Sequence, residues 1–296
     1  MLAMTGFVAT IGIFDGVHRG HQFVLRQVVL EARKRGLQSM VITFDRLPRR
    51  EQVLLPLREK MKMLSKQGVD KVVLMSFDNK LKAMTAYEFM EHELRDRLDV
   101  KVLMTGYDNR FGHNREAGFD DYVRYGQELG IKVLQMPAEG HVSSSLIRRQ
   151  LAEGRVDEAT HDLGRHYMLA GCVTHGEHIG TQLGFPTANI ELEDPQQLIP
   201  LAGVYAVQVF RDTDGIWMPG MMNIGHRPTF DGHKQTLEVN IFGLNADLYG
   251  QHLVISFVAR LRAEQRFESQ EALIQQLQAD ARQAEELLRV KNLAII

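Results

Sequence analysis

His18 and His21 stand three residues apart in GIFDGVHRGHQ (12–22), a stretch that also carries Gly12, Phe14, Asp15, Gly16 and Gly20. Glycines in a turn let the backbone come close to a phosphate. A helix opening just after the turn would aim unpaired N–H groups and the positive end of its dipole at the same point. Imidazoles there can donate to the same oxygens. The chemistry this suits is stabilisation of charge on a nucleotide α-phosphate while pyrophosphate leaves. A glycine turn carrying two exposed histidines is the plain alternative for so short a motif.

A second group lies in GTQLGFPTANI (180–190). Gly180 and Gly184 permit tight backbone, Pro186 fixes φ, and Thr187 and Asn189 are two residues apart. In an extended segment that spacing puts both side chains on one face. A hydroxyl and an amide carbonyl facing one way suit Mg²⁺, which takes oxygen ligands and shares them with ATP phosphates. The alternative is a turn whose Thr and Asn satisfy backbone groups. The chain has no GxxxxGK[ST] loop and no protein-kinase motif set, so ATP would be held by the glycine turns and Mg²⁺.

These residues need elements to place them. FVATIGIF (7–14), SMVITF (39–44), KVVLMSF (71–77), VKVLMTG (100–106) and IKVLQMP (131–137) are short and apolar on both faces, like strands buried in a parallel sheet. Amphipathic stretches at 20–35, 58–67, 85–98 and 118–129 alternate with them, so a doubly wound α/β domain is expected. Its ligands bind beyond the carboxyl ends of the strands, where HRGH falls. Residues 143–163 read as one helix ending at Gly164. After it, YMLAGCVTHG, GVYAVQVF, WMPGMMNIG, LEVNIF and LVISFVARL read as consecutive strands of an antiparallel sheet or small barrel. Leu273, Leu277, Ala281, Ala284 and Leu288 give residues 269–289 one apolar helical face, with Ser269 as a candidate cap. The pattern changes near residue 160, which divides the chain into domains 1–160 and 161–296.

Composition narrows the classes. A chain of 296 residues with 44% hydrophobic and 24% charged residues is an ordinary globular protein with room for two domains. Its net charge of −2 gives no general attraction to nucleic acid or to an anionic membrane. Cys172, the single cysteine, fits a reducing cytoplasm. No apolar run reaches the ~18 residues a spanning helix needs. MLAMTGFVATIGIF lacks a basic leader and reads as a first strand, not a signal peptide.

Motifs in order along the chain resemble the bacterial bifunctional riboflavin kinase/FAD synthetase family: GIFDGVHRGHQ, TFDRLP (43–48), TGYDNRFG (105–112), SSSLIRRQLAEGRVDEA (143–159), LGFPTANI (183–190), GVYAV (203–207), MNIGHRPTF (222–230), LEVNIF (237–242) and LYGQHLVISFVARLRAEQRFES (248–269). The resemblance covers nearly the whole chain. It implies a Rossmann-like nucleotidyltransferase domain that adenylylates FMN to FAD with ATP. It also implies a flavokinase-type antiparallel β-barrel with a terminal helix, which phosphorylates riboflavin. Riboflavin, FMN and ATP would be the small-molecule partners, with Mg²⁺ as cofactor. His18 and His21 take the place of the family's phosphate-binding histidines. Asp108 matches a polar position at the nucleotide site. Ser144, Ser145 and Arg148 match a motif near the triphosphate, where hydroxyls, helix amides and a guanidinium would together hold an anion. Thr187 and Asn189 match the residues that hold Mg–ATP, and Glu238 the catalytic carboxylate. Arg262 and Phe267 fall in a flavin-side flap.

The chain also departs from the pattern. Leu47 stands where the family usually has a histidine near the phosphates, Asn109 where an aromatic residue is common, Ser145 for the usual threonine and Asn240 where histidine is frequent. Leucine can neither donate a hydrogen bond nor carry charge. Three readings follow: the bifunctional enzyme, a riboflavin kinase with an impaired adenylyltransferase domain, and a flavin-binding regulator without turnover. Retained Thr187, Asn189 and Glu238 weigh against the regulator, since a binder has no use for a base. HxGH also occurs in tRNA synthetases, but no KMSKS-like loop accompanies it here.

Overall fold

The computed structural model describes residues 5–46, 52–106, 110–137, 140–175, 184–213, 215–229 and 232–291. By contacts the chain divides into two compact units, residues 1–144 and 145–296.

Short runs rich in Val, Ile and Met form the first unit's parallel sheet: β1 (Phe7–Ile11), β2 (Gln38–Phe44), β3 (Lys71–Met75), β4 (Val100–Thr105) and β5 (Lys132–Gln135). The order is β3-β2-β1-β4-β5. One face packs Ala9, Ile11, Met40, Ile42 and Leu103 against Phe89, Met90, Leu94 and Tyr122; the other packs Val8 and Val102 against Val28 and Ala32. Coverage on both sides is why these strands read as continuously apolar. Connections leave β1 in opposite directions on its two sides, so the switch point lies at the carboxyl ends of β1 and β4. Helix α1 (Arg19–Arg35) starts there and ends at Gly36 in the left-handed region.

Two expected helices differ in detail. The stretch 85–98 opens with a capping box between Thr85 and Glu88, then winds as a π-helix over Phe89–Arg97, with Leu98 N–H donating to the Glu93 carbonyl. Phe89 and Leu94 are both buried at a spacing of five, which the wider turn brings onto one face. The stretch 143–163 is two helices, Ser144–Ala152 and Val156–Leu163, broken at Gly154. Its φ is +76°, and a Cβ there would lie 2.7 Å from Arg260 Cδ. Only glycine satisfies both conditions.

The second unit is a closed antiparallel barrel in the order β10-β7-β6-β11-β8-β9. Its strands are β6 (Tyr167–Thr174), β7 (Ala188–Leu192), β8 (Gly203–Arg211), β9 (Ile216–Thr229), β10 (Gly232–Ile241) and β11 (His252–Arg262). The fold is therefore the expected α/β domain followed by a β-barrel. The sixth strand, β7, comes from the end of the GTQLGFPTANI motif. Among the described residues the barrel closes between β7 and β10 through only Glu238↔Asn189 and Val239↔Ala188. The terminal helix Gln270–Lys291 buries Ala284 and Leu288 against Ala206, Met221 and Val258 on the barrel's outer face. Ser269 caps it, its hydroxyl accepting from Ala272 N–H at 3.1 Å. Asp280 on this helix is 1% exposed and receives the Arg262 guanidinium through Nε and Nη2 at 2.8–3.1 Å. Among the described residues, no helix is long and apolar enough to cross a membrane.

Candidate active sites

The first site is one loop, Gly12 to His18, between β1 and α1. Phe14 (φ 53°), Gly16 (φ 80°) and Val17 (φ 42°) all lie in the left-handed region. For Phe and Val that conformation costs on the order of 1–3 kcal/mol each and persists only where neighbours over-determine it. Here they do. Phe14 and Val17 are buried. The Asp15 carboxylate, also buried, accepts from Leu54 N–H at 3.0 and 3.1 Å and from Leu55 N–H at 3.3 Å. The Asp15 carbonyl accepts the Ser144 hydroxyl at 2.9 Å. Ser144 is thus brought onto the histidine loop, and Ser145 and Arg148 continue the helix it opens.

His18 is the N-cap of α1. Its Nδ1 accepts from the backbone N–H of His21 at 3.3 Å. An accepting Nδ1 carries no proton, which leaves the ring proton on Nε2. His21 stacks on it with ring centroids 3.5 Å apart and 20° between planes, and meets Phe14 edge-on at 5.1 Å. Gly20 makes room for the pair, since a Cβ there would come within 3.3 Å of the His18 ring. Burial, then the neighbouring His18 and Lys60, hold the His21 pKa well below the usual imidazole value, so His21 is neutral at pH 7. Its buried Nδ1 has no hydrogen-bond partner among the described residues. The result is a stacked pair of imidazoles at a helix N-terminus, with the buried His21 held neutral, beside amides that can donate to a phosphate.

Lys60 carries no motif that marks it as part of this site. It lies on α2 (Leu57–Ser65), is 6% exposed, and donates to the carbonyls of Phe44 at 2.7 Å and Ile13 at 3.2 Å. A lone lysine in a polar helix carries no pattern that would mark it. Leu47, Asp108 and Asn109 lie outside the described residues.

The second site is set by register. Asn189 on β7 pairs with Glu238 on β10 and, on its other side, with Thr174 on β6; Glu238 in turn pairs with Asn223 on β9. Directly opposed residues share a face, so Thr174, Asn189, Glu238 and Asn223 form one polar row around the barrel. Beside it, Glu264 Oε1, Asn223 Nδ2 and Thr236 Oγ1 crowd over Gly225, where a Cβ would meet them at 2.9, 3.2 and 3.3 Å. Asn223 and Glu264 are therefore additional polar groups at this site, visible only once the strands are paired.

Thr187 precedes β7 and lines a cavity of about 320 Å³ with Pro186, Ala188, Val239, Asp247 and Tyr249. His175 stacks on Tyr249 at 4.1 Å, so it is a ring partner at the cavity's rim. Asn240 holds the turn from below: its Nδ2 donates to the Pro186 carbonyl at 2.6 Å, and Phe185 is packed against the barrel–helix core. Gly184 is exposed with φ +79° at the start of this turn. Gly176, His178 and Gly180 lie outside the described residues. No cluster of His, Cys, Asp and Glu among the described residues could hold a metal. The oxygens of Thr187 and Asn189 are what a hard divalent cation carried by phosphates could use.

A nucleotide-binding sheet with imidazoles at its first helix, followed by a barrel with a carboxylate beside neutral oxygen donors, is the build of a two-site enzyme that uses nucleotides on separate units. Comparison with known proteins makes the class specific. The FAD synthetase family model matches residues 2–147 and the riboflavin kinase model residues 163–288. A bifunctional riboflavin kinase/FMN adenylyltransferase of Escherichia coli is 40% identical, covering 95% of this chain and 92% of that protein. One from Pseudomonas fluorescens is also 40% identical, covering 95% and 93%. The chain belongs to the bifunctional riboflavin kinase/FMN adenylyltransferase family. A crystal structure from Streptococcus pneumoniae, described as a macrolide-efflux protein, superposes with a TM-score of 0.85 at 31% identity, covering 95% of this chain and 94% of that one.

Proposed function

We propose that the barrel unit phosphorylates riboflavin to FMN and that the sheet unit adenylylates FMN to FAD, with the residues placed above in definite roles. The observation that carries this reading is the direct cross-strand pairing of Glu238 with Asn189, which sets a carboxylate beside an amide oxygen.

In the kinase, the riboflavin 5′-hydroxyl attacks the γ-phosphorus of ATP and ADP leaves. Glu238 takes the hydroxyl proton. Thr187 and Asn189 present oxygens to Mg²⁺ shared with the phosphates, and Gly184 and Pro186 shape the turn that delivers them. Mg²⁺, when bound, neutralises charge between the phosphates. Asn240 keeps the turn in place through the Pro186 carbonyl.

In the adenylyltransferase, an FMN phosphate oxygen attacks the α-phosphorus of ATP and pyrophosphate leaves. The nucleophile is already anionic, so this reaction needs donors rather than a base. His18 Nε2–H, His21 and the N-terminal amides of α1 supply them. Gly12, Phe14, Asp15, Gly16 and Gly20 shape the cradle, and Ser144 reaches it through the Asp15 carbonyl; Asp108, Ser145 and Arg148 are assigned to this reaction by their motifs alone. Residues 1–160 carry this reaction and residues 161–296 the other. The single cysteine supports a cytoplasmic setting.

Product analysis with labelled riboflavin and Mg–ATP tests the reading. FAD with pyrophosphate is expected. FMN alone would leave a kinase with an idle first domain, and no product would leave a flavin binder.

A further inference from the structure

A charged side chain under the phosphate loop has no place yet in either reaction. Lys60 is buried, and its ammonium reaches the last residues of two neighbouring strands: it donates to Phe44 O, at the end of β2, at 2.7 Å and to Ile13 O, just beyond β1, at 3.2 Å. The Thr43 hydroxyl donates to the same Ile13 carbonyl at 3.0 Å. The chain enters the left-handed run of Phe14, Gly16 and Val17 immediately afterwards. Burying an ammonium is costly unless its bonds and its field are both used.

We infer that Lys60 is a positioning residue for adenylyl transfer: its ammonium ties the carbonyl ends of β1 and β2 together and so sets the loop that carries His18 and His21. The inference rests on the adenylylation reading of that loop.

Three observations support it. The bonds of Lys60 lie at the hinge between regular strand and strained loop, where a loosened carbonyl would be felt directly by the residues that follow. Burial pulls the Lys60 pKa below its ordinary value, and Asp15 from the loop and Asp45 after β2 oppose this by favouring the ammonium. Finally, Lys60 stands close enough to His21 to disfavour a second positive charge there, together with His18 from the same turn. Lys60 thus sets the loop that carries the imidazoles and adds to the burial and the neighbouring His18 that keep His21 neutral.

The test compares full-length wild type with Lys60→Met and Lys60→Gln. Two quantities are read: steady-state FAD formation from FMN and Mg–ATP across pH, and the His21 titration midpoint by NMR, assigned as the resonance lost in His21→Gln. In Lys60→Met, kcat should fall on the order of 10²-fold, more than KM for ATP changes, as expected when reacting groups are misplaced by about 1 Å. The His21 midpoint should move up, and the acid limb of the rate profile should move with it. Lys60→Gln keeps a donor for Phe44 O and should move the midpoint the same way, because the charge is gone. It decides the matter if the Met protein does not fold. A lower melting temperature with an unmoved His21 midpoint and unmoved acid limb would reduce Lys60 to scaffold and overturn the inference. Should wild type form FMN but no FAD, the adenylylation reading falls, while the His21 midpoint still decides whether Lys60 controls the loop.

Discussion

At the sheet edge, the two imidazoles are held by bonds that converge on one short loop: a cap, a stacked ring, a buried aspartate and a lysine beneath. On the barrel, Asn189 and Glu238 are neighbours only because two strands pair in one register. The first site is over-determined by local bonds, the second set by strand alignment. The difference follows the chemistry. A phosphate attacking a phosphate needs fixed donors against developing charge, and fixed donors need packing. A hydroxyl attacking a phosphate needs a base and a metal that travels with the nucleotide, so half-exposed oxygens on a rigid sheet suffice.

Substitutions that separate the two reactions test this contrast. The largest effect is expected from Glu238→Gln, which keeps shape but cannot accept a proton. Riboflavin phosphorylation should fall by roughly 10²–10⁴-fold while adenylylation of added FMN is unchanged. Full kinase turnover in this variant would remove Glu238 from the reaction.

His21→Ala should lower FAD formation by about 10²–10³-fold and leave phosphorylation alone. A parallel loss of both would mean the sites are not independent. The neutral state of His21 adds a pH signature. With its folded pKa depressed, the unfolded chain binds the proton more readily, so stability is fully present above the ordinary value of about 6.5 and declines as pH falls from there towards the lowered value. FAD formation should decline over the same acid range. An acid limb at or above the ordinary imidazole value would contradict a neutral, buried His21.

Smaller effects are expected from Thr187→Ala and Asn189→Ala. Losing one oxygen contact to a charged group corresponds to roughly a 10–100-fold higher Mg²⁺ requirement in the kinase, with none in the adenylyltransferase. An unchanged Mg²⁺ titration removes these residues from the ligand set. The smallest effect, and the only gain, is expected from Leu47→His. FMN should accumulate before FAD in wild type, and the substitution should raise FAD formation by about tenfold or less, the worth of one hydrogen bond. No gain would mean that this position does not limit the reaction.

The contrast also governs what was legible in the sequence. The histidine loop is local, so its glycines and imidazoles could be read where they stand, and the alternation of apolar and amphipathic runs placed it at the end of a first strand. The partners that stabilise it were not legible: Asp15 bonding to Leu54, and Lys60 reaching Ile13, depend on tertiary approach. On the barrel, Thr187 and Asn189 were visible as a spaced pair, but their adjacency to Glu238, and the presence of Asn223 and Glu264, follow from strand pairing that no local spacing encodes. The helix break at Gly154 was missed because its reason, the Arg260 side chain, comes from a distant strand.

The closure of the barrel through two residue pairs at β7 and β10 has a consequence for its local unfolding. Every other described strand pairing in the barrel is longer. Transient opening takes the least-bonded route, and here that route separates Asn189 from Glu238. The amides of Ala188 and Asn189 should therefore be the barrel's fastest-exchanging strand protons. A nucleotide–metal complex bound across the seam would act as a staple, adding about 2.7 kcal/mol to the closed form at a hundredfold excess over its Kd. On the proposed kinase reading, the weakest join of a closed sheet is also the one a bound nucleotide would hold shut.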